Sequence, residues 1–265
     1  LKHRGVGWVG SHAMASFGAR RSLRASASRG LRWASTAGVA QRRILRGVVF
    51  DMDGTLTVPN LDFAEMYRRC GVDPKLDILE EIAKRSAPER ARAEAAIEEI
   101  EEESRRTLEL APGALELARW LFARRLPTAV VTKNTQATTR LLAEQLWGPL
   151  VPGLAPFNPM ISRDWVPVLP QKPDPAPLLH ISDLWGLDPS ALLMVGDSLR
   201  DDIACGRRAG AATALVDSGS RCPGPSPAKG ALREEFRPDL TVTSLADLPA
   251  ALDERFDFLP VEEDL

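Results

Sequence analysis

From residue 47 onward, short apolar runs alternate with longer amphipathic segments, and this rhythm leaves few architectures open. The runs are Gly47 to Asp51, Thr128 to Thr132, Phe157 to Ile161, Ala191 to Val195 and Ala212 to Val216, each bounded by Gly, Pro or Asp. They are too short for buried helices and apolar rather than strictly alternating, so they read as strands covered on both faces. Between them, Ala114 to Arg125, Thr135 to Leu146, Pro177 to Trp185 and Asp201 to Ala209 carry helical spacing. Strand and helix in alternation predict an α/β fold, a parallel sheet flanked by helices. Residues 60–110 break the rhythm because they contain no strand pattern. They read as helices, with Leu61, Phe63, Met66, Tyr67, Ile78, Leu79, Ile82, Ile97 and Ile100 as apolar positions. The expected division is a core of 47–58 and 113–265, with a small helical insert at 59–112 after the first strand. Glu98, Glu99, Glu101, Glu102 and Glu103 within that insert are expected on a solvated helix face.

Charge separates the first 46 residues from the rest. They hold ten of the 34 Lys and Arg and no acid, which leaves 24 basic against 36 acidic side chains in 47–265, a net of −12. An Arg- and Ser-rich, acid-free segment has the composition of a transit peptide, so a mitochondrial or chloroplast location is expected, with Met14 as the start of the targeting segment. The acidic body repels phosphate backbones and is a poor partner for nucleic acid. No run of about 18 apolar residues is present to span a bilayer. Three dispersed cysteines, Cys70, Cys205 and Cys222, give neither a disulfide framework nor zinc-site doublets. Oligomeric state is left open.

The chemistry-bearing residues gather at predicted strand ends, where ligands of open α/β sheets bind. Asp51-Met52-Asp53-Gly54-Thr55 leaves the first strand directly. Asp51 is the expected nucleophile, forming an aspartyl-phosphate. Asp53 is the expected acid for the departing alcohol and the base for the attacking water. Gly54 permits a tight turn that aims backbone N–H groups at phosphoryl oxygens, and Thr55 can pin it. Thr132, with the amides of Lys133 and Asn134, can hold the transferring phosphate. Lys172, on a loop stiffened by Pro173 and Pro175, can place a cation near Asp51. Gly196-Asp197-Ser198-Leu199-Arg200-Asp201-Asp202 leaves the fourth strand, and Asp197 with Asp51 and the Asp53 carbonyl offers the oxygen donors that Mg²⁺ takes.

Taken together these four motifs resemble the haloacid dehalogenase-like (HAD) hydrolase superfamily, and their flanks resemble a plant and algal branch of it. Asp-x-Asp-Gly-Thr stands as the first motif, Thr132 as the second, Lys172 as the third and Gly196-Asp197 onward as the fourth. The resemblance covers residues 47 to about 250 and implies a Rossmann-like core, a helical cap at the insert, Mg²⁺ dependence and hydrolysis of a small phosphate monoester. It also implies a second acid in the fourth motif, Asp201 or Asp202, with Asp202 favoured by the Asp-Ile pairing. The expected metal set is thus Asp51, Asp53, Asp197 and Asp202. Dehalogenases expel a halide without protonation and lack an acid at the position of Asp53. A phosphatase is therefore expected, with a phosphomutase or a non-catalytic scaffold on the same core as the alternatives.

Overall fold

A computed structural model describes residues 42–219 and 233–260. Six parallel strands form the main sheet: β2 (Gly47–Phe50), β3 (Thr128–Val131), β4 (Met160–Ile161), β5 (Leu192–Gly196), β6 (Ala212–Val216) and β7 (Leu240–Val242), in the order β4-β3-β2-β5-β6-β7. The chain runs outward from β2 through β3 to β4, then returns past β2 to lay down β5 beside it. The two halves of the sheet therefore diverge between β2 and β5, the crevice where α/β proteins bind ligands. Successive side chains of a strand point to opposite faces, and the core divides accordingly. Val48, Phe50, Val130, Leu193, Val195, Ala212, Ala214 and Val216 pack on one face, together with residues of α4 (Ala114–Arg124) and α8 (Leu248–Arg255). Val49, Ala129, Val131, Leu192 and Met194 pack on the other, against α6 (Ala176–Trp185) and α7 (Ala204–Ala209).

The insert folds as α1 (Phe63–Cys70), α2 (Ile78–Ala83) and α3 (Ala87–Arg106), with its own apolar cluster of Met66, Cys70, Val72, Ile82, Ala93 and Ile97. Each helix starts on a capping residue, Asp62, Asp77 and Ser86 in turn. Phe63, expected among the packed positions, is exposed at the start of α1 instead. Glu101 departs from the expected solvated face, since it is buried, whereas Glu98, Glu99, Glu102 and Glu103 are exposed.

The apolar runs and the observed strands differ at their ends. The run from Phe157 contributes only Met160–Ile161 to the sheet, and Pro159 just before it has no N–H for the ladder. The helix expected over 135–146 is α5 (Gln136–Leu141) continued by a π-helical turn, Leu142–Trp147. Residues 42–46, grouped with the basic segment on charge, belong to the body: β1 (Ile44–Leu45) pairs in parallel with β8 (Asp257–Phe258). Arg43 donates to the Ser190 and Gly210 carbonyls, and Leu45 is fully buried. The transit-segment reading otherwise falls on residues 1–41, outside the described residues, as does Cys222. Among the described residues no helix is long and apolar enough to cross a membrane.

Candidate active site

The turn after β2 curls back on itself, with the N–H groups of Thr55, Leu56 and Thr57 all donating to the Met52 carbonyl. That curl sets Asp51 and Asp53 on different sides. Gly54 closes the turn at φ +82°, and a Cβ there would lie 2.5 Å from Asp197 Oδ2, so only glycine lets this turn approach the end of β5. Gly196, at the end of β5, leaves room for the Asp202 side chain of the turn that follows it, since a Cβ there would sit 2.2 Å from the Asp202 carboxyl carbon.

Asp51 is buried at the divergence of the sheet. Its Oδ1 lies 2.5 Å from Lys172 Nζ, and the Thr55 hydroxyl donates to its Oδ2 at 3.4 Å. Lys172 is only 4% exposed; it also donates to the Val131 carbonyl at 2.7 Å and lies 2.7 Å from Asp202 Oδ1. Asp202 is anchored in turn by the Ser198 N–H at 2.9 Å. Carboxylate oxygens of Asp51, Asp197 and Asp202 come within 4.8 Å of one another. Of the two candidates in the fourth motif, Asp202 enters this group, while Asp201 is half-buried and faces Lys133 at 3.4 Å.

Burial pushes the Asp51 carboxyl well above the usual carboxylate range, against the pull of Lys172 and with the neighbouring acids Asp202 and Asp197 adding to the rise. Burial disfavours the Lys172 charge, yet Asp202 and Asp51 outweigh it and hold the ammonium protonated above the ordinary lysine range. Hard oxygen donors in excess of the one local cation are the donor set a Mg²⁺ ion takes, so these residues fit it.

Asp53 occupies a different environment. Asn134 Nδ2 lies 3.2 Å from both of its oxygens, and the Thr132 hydroxyl donates to it at 3.4 Å. Its carboxylate therefore stands outside the three-acid group, which leaves its backbone carbonyl for any metal. Burial raises the Asp53 carboxyl above the usual range, partly offset by the bonds from Asn134 and Thr132. Thr132 Oγ1 also accepts the Asn134 N–H at 3.0 Å. The Lys133 side chain leaves this cluster and spans Asp77 of the insert and Asp201, each at 3.4 Å.

Residues 48–151 match the family described as haloacid dehalogenase-like hydrolase, and residues 170–248 match the one described as HAD-hydrolase-like. A haloacid dehalogenase-like hydrolase domain-containing protein of Arabidopsis thaliana is 37% identical over 228 residues, covering 82% of this chain and 87% of the relative. The chain belongs to the HAD-like hydrolases. This HAD-like hydrolase is also 30% identical over 229 residues to a phosphoglycolate phosphatase of Chromobacterium violaceum, covering 77% of the chain and 95% of that enzyme. A hydrolase from Pseudomonas syringae shares the fold at a TM-score of 0.59 and 21% identity, over 80% of this chain and all of that one.

Two polar residues of this HAD-like hydrolase escaped the sequence reading. Arg163, in the loop after β4, pairs with Glu101 through both of its Nη nitrogens. Arg163 carried a signal in its place just past a strand end. Glu101 carried one in its spacing, since it continues the stripe Ala93, Ile97 and Ser104 that turns inward.

Proposed function

We propose that this HAD-like hydrolase is a Mg²⁺-dependent phosphatase that cleaves a small phosphate monoester through an aspartyl-phosphate on Asp51. The observation that carries the reading is the separation of two neighbouring acids into two environments. Asp51 lies beside Lys172 and the other acids, and Asp53 is held apart by Asn134 and Thr132. One carboxylate is thereby suited to attack phosphorus, the other to move a proton.

Asp51, Asp197 and Asp202 would hold the ion, with the Asp53 carbonyl beside them. When bound, Mg²⁺ supplies positive charge that lets the Asp51 carboxylate and the substrate phosphate approach. The Asp51 oxygen forms a bond to phosphorus as the ester oxygen leaves, and protonated Asp53 delivers its proton to that oxygen. Asp53, now a carboxylate, takes a proton from water as the water oxygen attacks the aspartyl-phosphate. Phosphate departs and Asp51 is regenerated. Lys172 keeps Asp51 fixed in place and offsets its charge. Thr132 and the Lys133 amide would flank the phosphate, while the Asn134 N–H, bonded to the Thr132 hydroxyl, would support Thr132 rather than face the substrate. A phosphoglycolate phosphatase among the relatives supports a small phosphorylated substrate.

The test is a panel of phosphate monoesters offered to the purified protein with Mg²⁺ and with EDTA. Hydrolysis that needs the cation and vanishes in Asp51→Asn is the expected result. Turnover by Asp51→Asn near that of the wild type would remove the covalent mechanism, and phosphoryl transfer between positions of one sugar would mark a mutase. The acid-free segment 1–41 supports an address in the mitochondrion or chloroplast, which a fluorescent fusion carrying those residues tests by its place in the cell.

A further inference from the structure

Glu101 is the one acid of the 98–103 run that is buried. Glu98, Glu99, Glu102 and Glu103 are exposed and pair with Arg105, Arg69 and Arg106 of the insert itself. Glu101 is 3% exposed and pairs across to the core, where Arg163 grips both of its oxygens, Nη2 to Oε2 at 2.8 Å. A carboxylate taken out of water is costly to keep, and a bidentate guanidinium is the partner that offsets it best.

The contact does not end at Arg163. Its backbone N–H donates to the Asn134 carbonyl at 3.0 Å. Asn134 in turn presents Nδ2 to both Asp53 oxygens at 3.2 Å, and its N–H fixes the Thr132 hydroxyl that also donates to Asp53. A side chain of the insert is thus joined to the second acid of the site through two intervening residues. We infer that Glu101 is a positioning residue, which sets Asp53 for proton transfer through Arg163 and Asn134. Without its carboxylate Arg163 loses its two-point partner, the Asn134 carbonyl loses a fixed donor, and the amide no longer holds Asp53 in one orientation. The inference rests on the phosphatase reading for the role of Asp53, and on the structure alone for the linkage.

Glu101→Gln keeps the side chain's size and removes its charge, and Arg163→Lys keeps charge while losing the two-point grip. Each is expected to lower kcat/KM on an alkyl phosphate by about tenfold or more and on p-nitrophenyl phosphate by less than about threefold, because kcat/KM covers the steps up to departure of the alcohol and nitrophenolate leaves without a proton. On the alkyl ester the loss should fall on kcat, with KM little changed. In an Asp53→Ala background, Glu101→Gln should alter kcat on neither ester by more than about twofold, since the step it serves is already gone. Independently of turnover, the Asn134 side-chain amide signals in NMR spectra, identified by their loss in Asn134→Ala, should shift in both variants. Equal losses of kcat/KM on the two esters with unmoved Asn134 signals would overturn the inference and leave the phosphatase reading intact. A wild type that cleaves no ester, but whose Asn134 signals move in Glu101→Gln, would support the linkage and overturn the phosphatase reading.

Discussion

Three carboxylates, two of them buried and Asp197 half-buried, gather with the buried Lys172 ammonium at the ends of β2 and β5, and the repulsion among the carboxylates is a cost the fold carries for its chemistry. Because burial raises the Asp51 carboxyl, keeping it ionised costs the folded chain more than the unfolded one. Its contribution to stability is complete below about pH 4, the ordinary carboxylate range, and is lost as pH rises through the raised value. Asp51→Asn supplies a neutral group of the same shape. In EDTA at neutral pH it should therefore melt higher than the wild type, with the difference shrinking as pH falls toward 4. Melting curves of both proteins from pH 4 to pH 8 check this. A variant that melts lower at neutral pH would mean that Lys172 more than compensates the charge. Asp51, Asp53, Thr132, Lys172 and Asp197 were legible in the sequence because each falls at or just beyond an apolar run, or beside prolines that punctuate the chain. Glu101 was missed because a run of like charges reads locally as a wet surface; its spacing from Ala93 and Ile97 carried the inward signal, but its partner is an arginine 62 residues away.

At the scale of elements, the central strands were legible because both of their faces are buried, which makes the runs uniformly apolar. The two-residue strands β1 and β8 were not, because so short a segment has no period to read. Charge composition grouped Arg42, Arg43 and Arg46 with the basic segment, although these arginines flank a buried Leu45 and donate to carbonyls of the body, Arg42 and Arg43 through their side chains and Arg46 through its backbone N–H. The structure therefore predicts unequal truncations. A chain that starts at residue 47 should be less stable than one that starts at residue 42. The buried Leu45 side chain alone contributes about 1.5–3 kcal/mol. The lost pairing with β8 and the Arg42 and Arg43 bonds add to that. Urea titration of the two proteins measures the difference, and coincident midpoints would show that β1 contributes nothing.

For the whole molecule, the reversal of strand order fixes where chemistry can occur, because β2 and β5 deliver Asp51 and Asp197 to one crevice from separate halves of the sheet. A divalent cation bound there ties the halves together and should stabilise the fold by mass action, by about 2.7 kcal/mol at a hundredfold excess over its dissociation constant. Thermal melts with and without Mg²⁺ should show that gain in the wild type and little of it in Asp197→Asn. An equal gain in both would place the ion elsewhere. The pairing of β1 with β8 has a consequence in time. Arg42 and its acceptor at Phe256 are 214 residues apart, and Ile44 waits for Asp257 in the same way. At about 5–20 residues per second, a ribosome needs roughly 10–40 s to make that stretch. The first described strand of the body is thus sealed only after β8 has been made, and until then its unpaired edge remains open to whatever factor reads a nascent chain.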